Sequence, residues 1–421
     1  MGGLIVAAPS SGAGKTTVTL GLLRHLAREG LPVRSAKSGP DYIDPRFHEA
    51  ATGAPCPNLD AWAMTPDRIR ALASGDGALI IEGAMGLFDG APPDNRGATA
   101  DLARLLGLPV ILIVDAARMS GSVAPLVAGF AAHDAQVRVA GVILNNVGSP
   151  RHEAMLRRAL ETGPPVLGAL PRTPGLHHPS RHLGLVQADE RADLAAFLDT
   201  AADLVARHVD MGALMARARP LVAGGTAARL APPAQRIAVA RDAAFSFAYP
   251  HMLDDWRAAG AEILFFSPLA DDPVPAADFV FLPGGYPELH GPTLASARTF
   301  LHTLRGAAQR VPVYGECGGY MVLGEALTNA EGRRFPMAGL LPLETSFATR
   351  RLHLGYRSLI AASGPMEGDW RGHEFHYATT LRADGAPLFA ARDAEGAALN
   401  PMGLRRDLVC GSFAHLVDRA T

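Results

Sequence analysis

The fold of the N-terminal half of the chain is decided by residues 8–17, APSSGAGKTT. They follow the apolar run LIVA at residues 4–7 and precede leucines at helical spacing between residues 20 and 26. A strand, a glycine loop and a helix in this order cradle phosphate, because loop amides and the helix N-terminus bind phosphate oxygens while a lysine neutralises their charge. Pro9 stands where the usual first glycine of such a loop would lie. The rest of the motif predicts a nucleotide-binding loop rather than a solvated turn.

The loop supplies the first candidate site residues. Five of its residues are expected to contact ATP: Gly12, Gly14, Lys15, Thr16 and Thr17. The hydroxyl of Thr16 is also expected to bind Mg²⁺.

Two acidic segments follow along the chain, at residues 37–45, KSGPDYIDP, and residues 80–90, IIEGAMGLFDG. Glu82 ends an apolar run, and a doubly wound sheet binds its ligands at the C-terminal ends of its strands. A carboxylate there can hold Mg²⁺, so we expect Glu82 and Asp41 to join Thr16 as metal ligands. Lys37 adds a second positive charge for the phosphates of ATP.

Strand-like runs at residues 4–8, 78–81, 110–115 and 139–144 alternate with helical patterns. This order predicts an α/β fold with a parallel sheet covered by helices. Asp115 ends one run and is interpreted equally as a nucleotide contact or a helix cap. Asn145 and Asn146 follow the last run, and they read the nucleotide base or simply form a turn. Asn145 is the one that we assign to ATP.

The middle of the chain loses this periodicity. Residues 216–235 are rich in Ala, Gly and Pro, and a new strand-like run begins at Arg236. We therefore predict one domain over residues 1–215, a linker over residues 216–235 and a second α/β domain over residues 236–421.

The second domain contains residues 315–319, GECGG, directly after the apolar run VPVY. A nucleophile on a sharp strand-to-helix turn projects into a pocket, and flanking glycines permit the turn. The N-terminal amides of the following helix would favour the thiolate of Cys317. An inert buried cysteine is the alternative.

Two further segments favour a catalytic role for Cys317. Residues 283–288, PGGYPE, form a glycine turn that can offer backbone N–H groups to an oxyanion. We expect Gly285 and Gly318 to supply those donors. His415, in the strand-like setting GSFAH at residues 411–415, is the expected base.

Here the chain resembles class I glutamine amidotransferase domains. In that class the cysteine attacks the side-chain amide of L-glutamine, releases ammonia and becomes a thioester. A carboxylate usually follows two residues after the histidine, whereas this chain has Val417 there and Asp418 one residue further on. A Cys317–His415 dyad is therefore the expected machinery, and the sequence assigns no third member.

The combination of motifs narrows the resemblance to the a,c-diamide synthases of cobalamin biosynthesis, whose N-terminal half is similar to dethiobiotin synthetase. It rests on five segments in order, namely GPDYIDP (39–45), IEGAMGLFDG (81–90), PGGYPE (283–288), GECGGY (315–320) and GSFAH (411–415). The resemblance implies a ligase with a P-loop domain and an amidotransferase domain. It would use ATP, Mg²⁺ and glutamine to amidate the a and c acetates of hydrogenobyrinic or cobyrinic acid.

The chemistry of amidation adds further expectations. A carboxylate does not react with ammonia at neutral pH, so we expect ATP to convert each acetate to an acyl phosphate first. Asp41, Asp44 and Asp89 lie in loops near the phosphate site and are expected to present the acetates. Loop carboxylates are more often solvated or helix caps, which is the alternative for each.

Two polar clusters have less specific signals. His177, His178 and His182, with Arg172 and Arg181, are interpreted as a solvated loop, with binding of corrinoid carboxylates as the alternative. Residues 372–377, GHEFHY, resemble a segment of the family, but we slightly prefer cross-strand packing.

Composition excludes several classes of protein. A net charge of −2 over 421 residues gives no electrostatic footprint for nucleic acid. The opening apolar run is too short to cross a membrane. Three cysteines in no metal-binding spacing predict a reducing cytoplasm, with Cys56 and Cys410 structural. The expected partners are small molecules only (a corrinoid acid, L-glutamine and ATP), with a homodimer as the candidate assembly.

Rival functions remain at this point. Cobyric acid synthase and nickel-sirohydrochlorin a,c-diamide synthase are near relatives. A partitioning-type P-loop ATPase would not need Cys317, and a stand-alone glutaminase or cysteine peptidase would not need Lys15. We favour the metal-free ring, because an Ala- and Arg-rich composition is typical of aerobic cobalamin producers.

Overall fold

The computed structural model describes residues 2–176, 180–181, 184–185, 187–222 and 227–420. The chain forms two compact units, residues 1–227 and residues 228–421. The expected histidine cluster at His177, His178 and His182 lies outside the described residues. Every helix among the described residues is too short or too polar to span a bilayer.

The first unit alternates strands and helices. Its strands are β1 (Gly3–Ala7), β2 (Val33–Ser38), β3 (Asn58–Leu59), β4 (Ala78–Glu82), β5 (Val110–Asp115), β6 (Val139–Val147), β7 (Val166–Pro171), β8 (Ser180–Arg181) and β9 (Gly184–Leu185). Its helices are α1 (Lys15–Arg28), α2 (Asp44–Thr52), α3 (Pro66–Ala73), α4 (Thr99–Leu106), α5 (Val123–Ala132), α6 (Pro150–Ala159), α7 (Leu194–His208) and α8 (Met211–Met215), with a 3₁₀ turn at Ala188–Glu190.

The main sheet of this unit is parallel, with strand order β3-β2-β4-β1-β5-β6-β7. β1 and β4 are buried along their whole length, which explains why both read as continuous apolar runs. The strand order reverses direction around β1, and such a switch point leaves a crevice at the C-terminal ends of the strands. The phosphate loop follows β1 and therefore opens into that crevice. The predicted doubly wound fold is confirmed.

The second unit has more strands. They are β10 (Arg236–Ala240), β11 (Glu262–Phe266), β12 (Phe279–Leu282), β13 (Val313–Glu316), β14 (Ala326–Thr328), β15 (Arg334–Pro336), β16 (Leu343–Ser346), β17 (His353–Ala361), β18 (Gly368–His376), β19 (Thr379–Ala383), β20 (Ala390–Arg392), β21 (Leu404–Arg406), β22 (Val409–Ser412) and β23 (His415–Arg419). Its helices are α9 (Pro250–Ala258), α10 (Gly291–Ser296), α11 (Arg298–Ala307) and α12 (Gly318–Leu323), with 3₁₀ turns at Pro268–Ala270 and Pro287–Leu289.

Three sheets build this unit. The central sheet has the order β11-β10-β12-β13-β22-β21, parallel except for the antiparallel pair β21–β22. Two four-stranded sheets, β15-β14-β16-β19 and β20-β17-β18-β23, accompany it. Pairing of β13 with β22 brings Glu316 beside Ser412, and pairing of β18 with β23 sets His373 beside His415. Residues almost 100 positions apart thereby meet at the C-terminal end of β13.

Candidate active sites

The phosphate loop is shaped by Gly14, which has φ of 91° in the left-handed region and caps α1. A Cβ on Gly14 would lie 2.2 Å from Nδ2 of Asn145. Asn145 in turn donates a hydrogen bond to the carbonyl of Ala13 over 2.9 Å. Glycine is therefore required both by the backbone conformation and by the side chain that braces the loop.

Lys15, the first residue of α1, lies in the loop with its ammonium group held by carbonyl oxygens. Its Nζ donates to the carbonyls of Met85, at 2.6 Å, and Ser10, at 3.4 Å. Burial lowers the pKa of Lys15, although the nearby Glu82 carboxylate opposes this shift. The side chain spans the loop that phosphate groups would occupy.

Thr16 and Lys37 meet two carboxylates at the C-terminal ends of β2 and β4. The Thr16 hydroxyl donates to Oε1 of Glu82 over 2.6 Å and lies 3.5 Å from Oδ2 of Asp44. Lys37 Nζ lies 2.9 Å from Oε1 of Glu82 and 2.5 Å from Oδ2 of Asp44. Burial opposes the charge of Lys37, but Asp44 and Glu82 outweigh it and raise its pKa. The fold thus brings together four predicted residues from three segments of the sequence.

Glu82 is held from its other side by His48, which Cys56 contacts in turn, and the sequence predicted no role at this site for either residue. His48 Nε2 lies 2.7 Å from Oε2 of Glu82, and His48 Nδ1 lies 3.4 Å from Sγ of Cys56. Burial opposes the charge on His48, but Cys56 and Glu82 raise its pKa to about 10. Burial also opposes the charge on Glu82, but Lys37 and His48 hold its pKa well below the usual range. His48 therefore fixes one carboxylate oxygen and leaves Oε1 facing Thr16.

Asp41 and Asp44 make different contacts beside this cluster. Oδ1 of Asp41 accepts the backbone N–H groups of Ile43 (2.8 Å) and Asp44 (3.1 Å) and so organises the start of α2. Burial and the neighbouring Asp44 raise the pKa of Asp41 to about 7. Asp44, predicted only to present substrate, lies deeper in the cluster than Asp41. Among the described residues, its Oδ1 is buried and accepts no hydrogen bond.

This donor set fits Mg²⁺. A hydroxyl and several carboxylate oxygens are the ligands that this cation prefers, and the buried Oδ1 of Asp44 is an acceptor in need of a partner. Thr16, Glu82 and Asp44 are the residues that could hold it.

The remaining predicted residues of this unit lie around the loop. Asp89 accepts the backbone N–H of Gly86 over 2.9 Å, which fixes the turn whose Met85 carbonyl binds Lys15. Asp115 accepts the backbone N–H of Ala117 and the side-chain amide of Asn146, each over 3.0 Å. Asp115 and Asn146 are therefore hydrogen-bonded to each other, and Asp115 also stabilises the turn at Ala117.

A cleft of about 290 Å³ opens beside the loop. Its walls combine the phosphate loop with the end of β7 and one face of α7: Gly12, Gly14, Lys15, Thr16, Thr17, Val18, Asn145, Asn146, Leu170, Pro171, Thr173, Leu176, Ala201, Leu204 and Val205. Polar loop groups at one end and aliphatic side chains at the other suit a nucleotide.

In the second unit, Cys317 lies in a strained backbone conformation at the junction of β13 and α12, with φ of 44° and ψ of −103°. Its backbone N–H donates to the carbonyl of Ser412 over 2.8 Å, which ties the turn to β22. A non-glycine residue in such a conformation persists only where the surrounding structure holds it, and such strain clusters at active sites.

Gly284 shows that Cys317 and His415 lie side by side. A Cβ built on Gly284 would be 2.3 Å from Cε1 and 3.0 Å from Nε2 of His415, and 3.3 Å from Cβ of Cys317. Both side chains thus contact one glycine, and Nε2 is the imidazole nitrogen on that side. The predicted oxyanion glycines also meet, since a Cβ on Gly318 would lie 2.9 Å from the backbone nitrogen of Gly285.

The protonation state of Cys317 differs from the thiolate that the sequence predicted. Burial and the carboxylate of Glu288 raise its pKa, with Glu316 and Glu374 adding to the shift, while a hydrogen bond from the Gly318 N–H only partly opposes it. The six-residue helix α12 does not outweigh burial together with three negative charges. The resting cysteine is a thiol, so a base must remove its proton.

Glu316 is a buried carboxylate next to His415. Its Oε2 lies 3.6 Å from Nδ1 of His415. Its Oε1 accepts the backbone N–H of Leu416 over 3.1 Å and the hydroxyl of Tyr314 over 3.2 Å. Glu316 belongs to the GECGG segment at residues 315–319, but the sequence predicted no role for it.

Residues 372–377 form a second polar cluster in this unit. His353, Glu374 and His376 lie close enough to hold a metal ion. However, Arg357 already binds Oε2 of Glu374 with Nε (2.9 Å) and Nη2 (2.7 Å), and His376 Nε2 lies 3.0 Å from Oε1. Burial opposes the charge on Glu374, but His376 and Arg357 lower its pKa to about 2. The guanidinium supplies the positive charge that a cation would bring.

Both units of the chain match known protein families. A family described as the CobQ/CobB/MinD/ParA nucleotide binding domain matches residues 4–186. A second, the CobB/CobQ-like glutamine amidotransferase domain, matches residues 236–420. A solved glutamine amidotransferase covers 33% of this chain and 70% of its own at 17% identity, with a TM-score of 0.24, too low to support any argument.

Curated relatives match over the full length. Hydrogenobyrinate a,c-diamide synthase of Brucella abortus biovar 1 (strain 9-941) is 57% identical over 99% of both chains. That of Rhizobium meliloti (strain 1021) is 56% identical over 99% of both, and that of Rhodobacter capsulatus is 54% identical over 99% of this chain and 98% of its own. The chain is therefore an amide-forming ligase with a nucleotide-binding and a glutamine amidotransferase domain, and it belongs to the hydrogenobyrinate a,c-diamide synthase family.

Proposed function

We propose that this protein amidates the a and c acetate side chains of hydrogenobyrinic acid, using ATP to form acyl phosphates and glutamine as the nitrogen source. The observation that carries the proposal is the coexistence of two sites in one chain. Thr16 and Lys15 lie in a phosphate loop facing Glu82, and a strained Cys317 lies beside His415. The names of the full-length relatives support the substrate.

Nitrogen release begins with transfer of the Cys317 proton to Nε2 of His415. The sulfur attacks the side-chain carbonyl carbon of glutamine, and the negative oxygen that develops is stabilised by the backbone N–H groups of Gly285 and Gly318. His415 then gives its proton to the leaving nitrogen, so ammonia departs and a glutamyl thioester remains. Water hydrolyses the thioester and restores the thiol.

Activation of the acetate takes place at the phosphate loop. The acetate oxygen attacks the γ-phosphorus of ATP, so that an acyl phosphate forms and ADP leaves. Lys15 and the loop amides stabilise the negative charge of the transferred phosphoryl group, and Asn145 braces the loop. Ammonia then displaces phosphate and the amide forms. Lys37 keeps the Glu82 and Asp44 carboxylates in place.

Mg²⁺, held by Thr16, Glu82 and Asp44, would neutralise phosphate charge when bound. Asp41 and Asp89 shape the loops beside the cluster and present the acetates.

One experiment tests the substrate directly. Purified protein is incubated with ATP, Mg²⁺ and glutamine, and with hydrogenobyrinic or cobyrinic acid side by side, and products are resolved by chromatography and mass. We expect diamide from the metal-free ring, with a monoamide appearing first, because a single phosphate loop must serve both acetates. Preference for the cobalt-containing ring would refute the substrate assignment, and ATP hydrolysis without either acid would refute the synthase.

A further inference from the structure

The carboxylate of Glu316 occupies the position from which an orienting residue would act on His415. Oε2 of Glu316 lies 3.6 Å from Nδ1 of His415, and both side chains are almost fully buried, with 2% and 0% exposure. That separation is an ion-pair distance rather than a hydrogen bond, and catalytic contacts of this kind often tighten only when substrate binds. The opposite imidazole nitrogen, Nε2, faces Gly284 beside Cys317. The histidine therefore lies between the carboxylate and the thiol.

Glu316 is also held firmly in this position. The backbone N–H of Leu416, the residue after His415, donates to Oε1 over 3.1 Å. The Tyr314 hydroxyl donates to the same oxygen over 3.2 Å. Oε1 of Glu316 thus anchors β23, the strand that begins at His415, and Oε2 is the oxygen nearer the imidazole.

The positions that follow His415 in the chain depart from the pattern of a carboxylate two residues after the histidine. Val417 is apolar and lies at an irregularity in the pairing of β18 with β23. Asp418 accepts the backbone N–H of its neighbour Arg419 over 2.8 Å. The carboxylate of Glu316 is in ion-pair contact with His415.

We propose that Glu316 is the positioning residue of the glutaminase site, replacing the carboxylate that would otherwise follow the histidine by two residues. It keeps the proton of the neutral imidazole on Nδ1, so that Nε2 can accept the proton of Cys317. Once Nε2 has accepted it, the carboxylate stabilises the resulting imidazolium, and the proton returns through Nε2 to the departing ammonia. Glu316 itself gains and loses no proton.

A simple electrostatic view makes the opposite prediction. Glu316 is one of the carboxylates that disfavour the thiolate of Cys317. If that repulsion were its main effect, neutralising Glu316 would accelerate glutamine hydrolysis. If Glu316 acts through His415, neutralising it slows hydrolysis.

The inference rests on the proposed use of glutamine at Cys317, and the test separates the two. Glu316→Gln keeps an oxygen acceptor for Leu416 and Tyr314 but removes the charge. We expect kcat with glutamine to fall about 10²-fold, with KM for glutamine and the ammonia-dependent rate unchanged. Asp418→Asn is the matched control and should keep the wild-type ratio of glutamine-dependent to ammonia-dependent rates. Cys317→Ser reports on the proposed function, since it must abolish glutamine use whatever the role of Glu316.

Several results would overturn the inference. They are a glutamine kcat for Glu316→Gln within twofold of wild type, an equal loss with ammonia, or a loss in Asp418→Asn as large as that in Glu316→Gln. Tyr314→Phe provides a second variant if Glu316→Gln does not fold, because it removes only one donor to the carboxylate. It should lower the glutamine kcat several-fold with the ammonia-dependent rate intact, and an unchanged glutamine kcat in this variant would count against the inference.

Discussion

Gly284→Ala places a methyl group between the cysteine and the histidine of the glutaminase site. Its Cβ would lie 2.3 Å from Cε1 of His415, where ordinary contact begins at 3.4 Å. The φ of Gly284 is outside the left-handed region, so alanine meets no backbone strain there. The imidazole must therefore move by about 1 Å, and a misplacement of this size costs roughly 10²-fold in rate.

We expect kcat/KM for glutamine to fall about 10²-fold, which corresponds to about 2.7 kcal/mol of lost transition-state stabilisation. The ammonia-dependent rate should stay at the wild-type value, because the methyl group lies in the unit that does not hold the phosphate loop. Overpacking of the buried site should lower the free energy of unfolding by about 1–3 kcal/mol. Initial rates of diamide formation with glutamine and with ammonium chloride, together with thermal unfolding, measure all three.

Gly306→Ala is the matched control in the same unit. Gly306 lies in α11, and its nearest neighbour to a new Cβ is the Nη1 atom of Arg310 at 3.7 Å. This variant should retain both rates and gain roughly 0.5–1 kcal/mol of stability. If Gly284→Ala kept its glutamine-dependent rate, His415 would not be the base, and the reasoning from this contact would fail.

Three other predictions concern the two sites. Cys317→Ser should abolish glutamine-dependent synthesis while ammonium salts still support it, and equal loss with both nitrogen sources would contradict separate sites. Lys15→Ala and Glu82→Gln should each remove activity with either nitrogen source, since both act before nitrogen attack; a variant that kept most of its ammonia-dependent rate would refute that assignment. Because the pKa of the Cys317 thiol is raised, its thiolate fraction should grow about tenfold per pH unit, so iodoacetamide should alkylate the resting enzyme ever faster from pH 7 to pH 9. A rate that levels off near neutral pH would show a thiolate instead.

The sequence alone determined the features that depend on consecutive residues. The phosphate loop and the cysteine turn are set by short runs whose glycines and flanking apolar residues fix the local backbone, so the strand–loop–helix geometry around Gly14, Lys15 and Cys317 could be predicted before the fold was known. The alternation of apolar runs with helical patterns likewise indicated a parallel sheet, because strands buried on both faces need continuous apolar residues.

The tertiary structure alone decided which side chains act together. His48 reaches Glu82 across 34 positions, and Glu316 reaches the backbone of Leu416 across 100 positions. No local pattern encodes such contacts, because they depend on which strands pair and in what register. Burial, too, belongs to the fold as a whole. The amides at the start of α12 predicted a thiolate at Cys317. Instead, burial and the carboxylates of Glu288, Glu316 and Glu374 raise the pKa of the thiol and keep it protonated. The charge of a buried group depends on all of its neighbours in space, and not only on its neighbours along the chain.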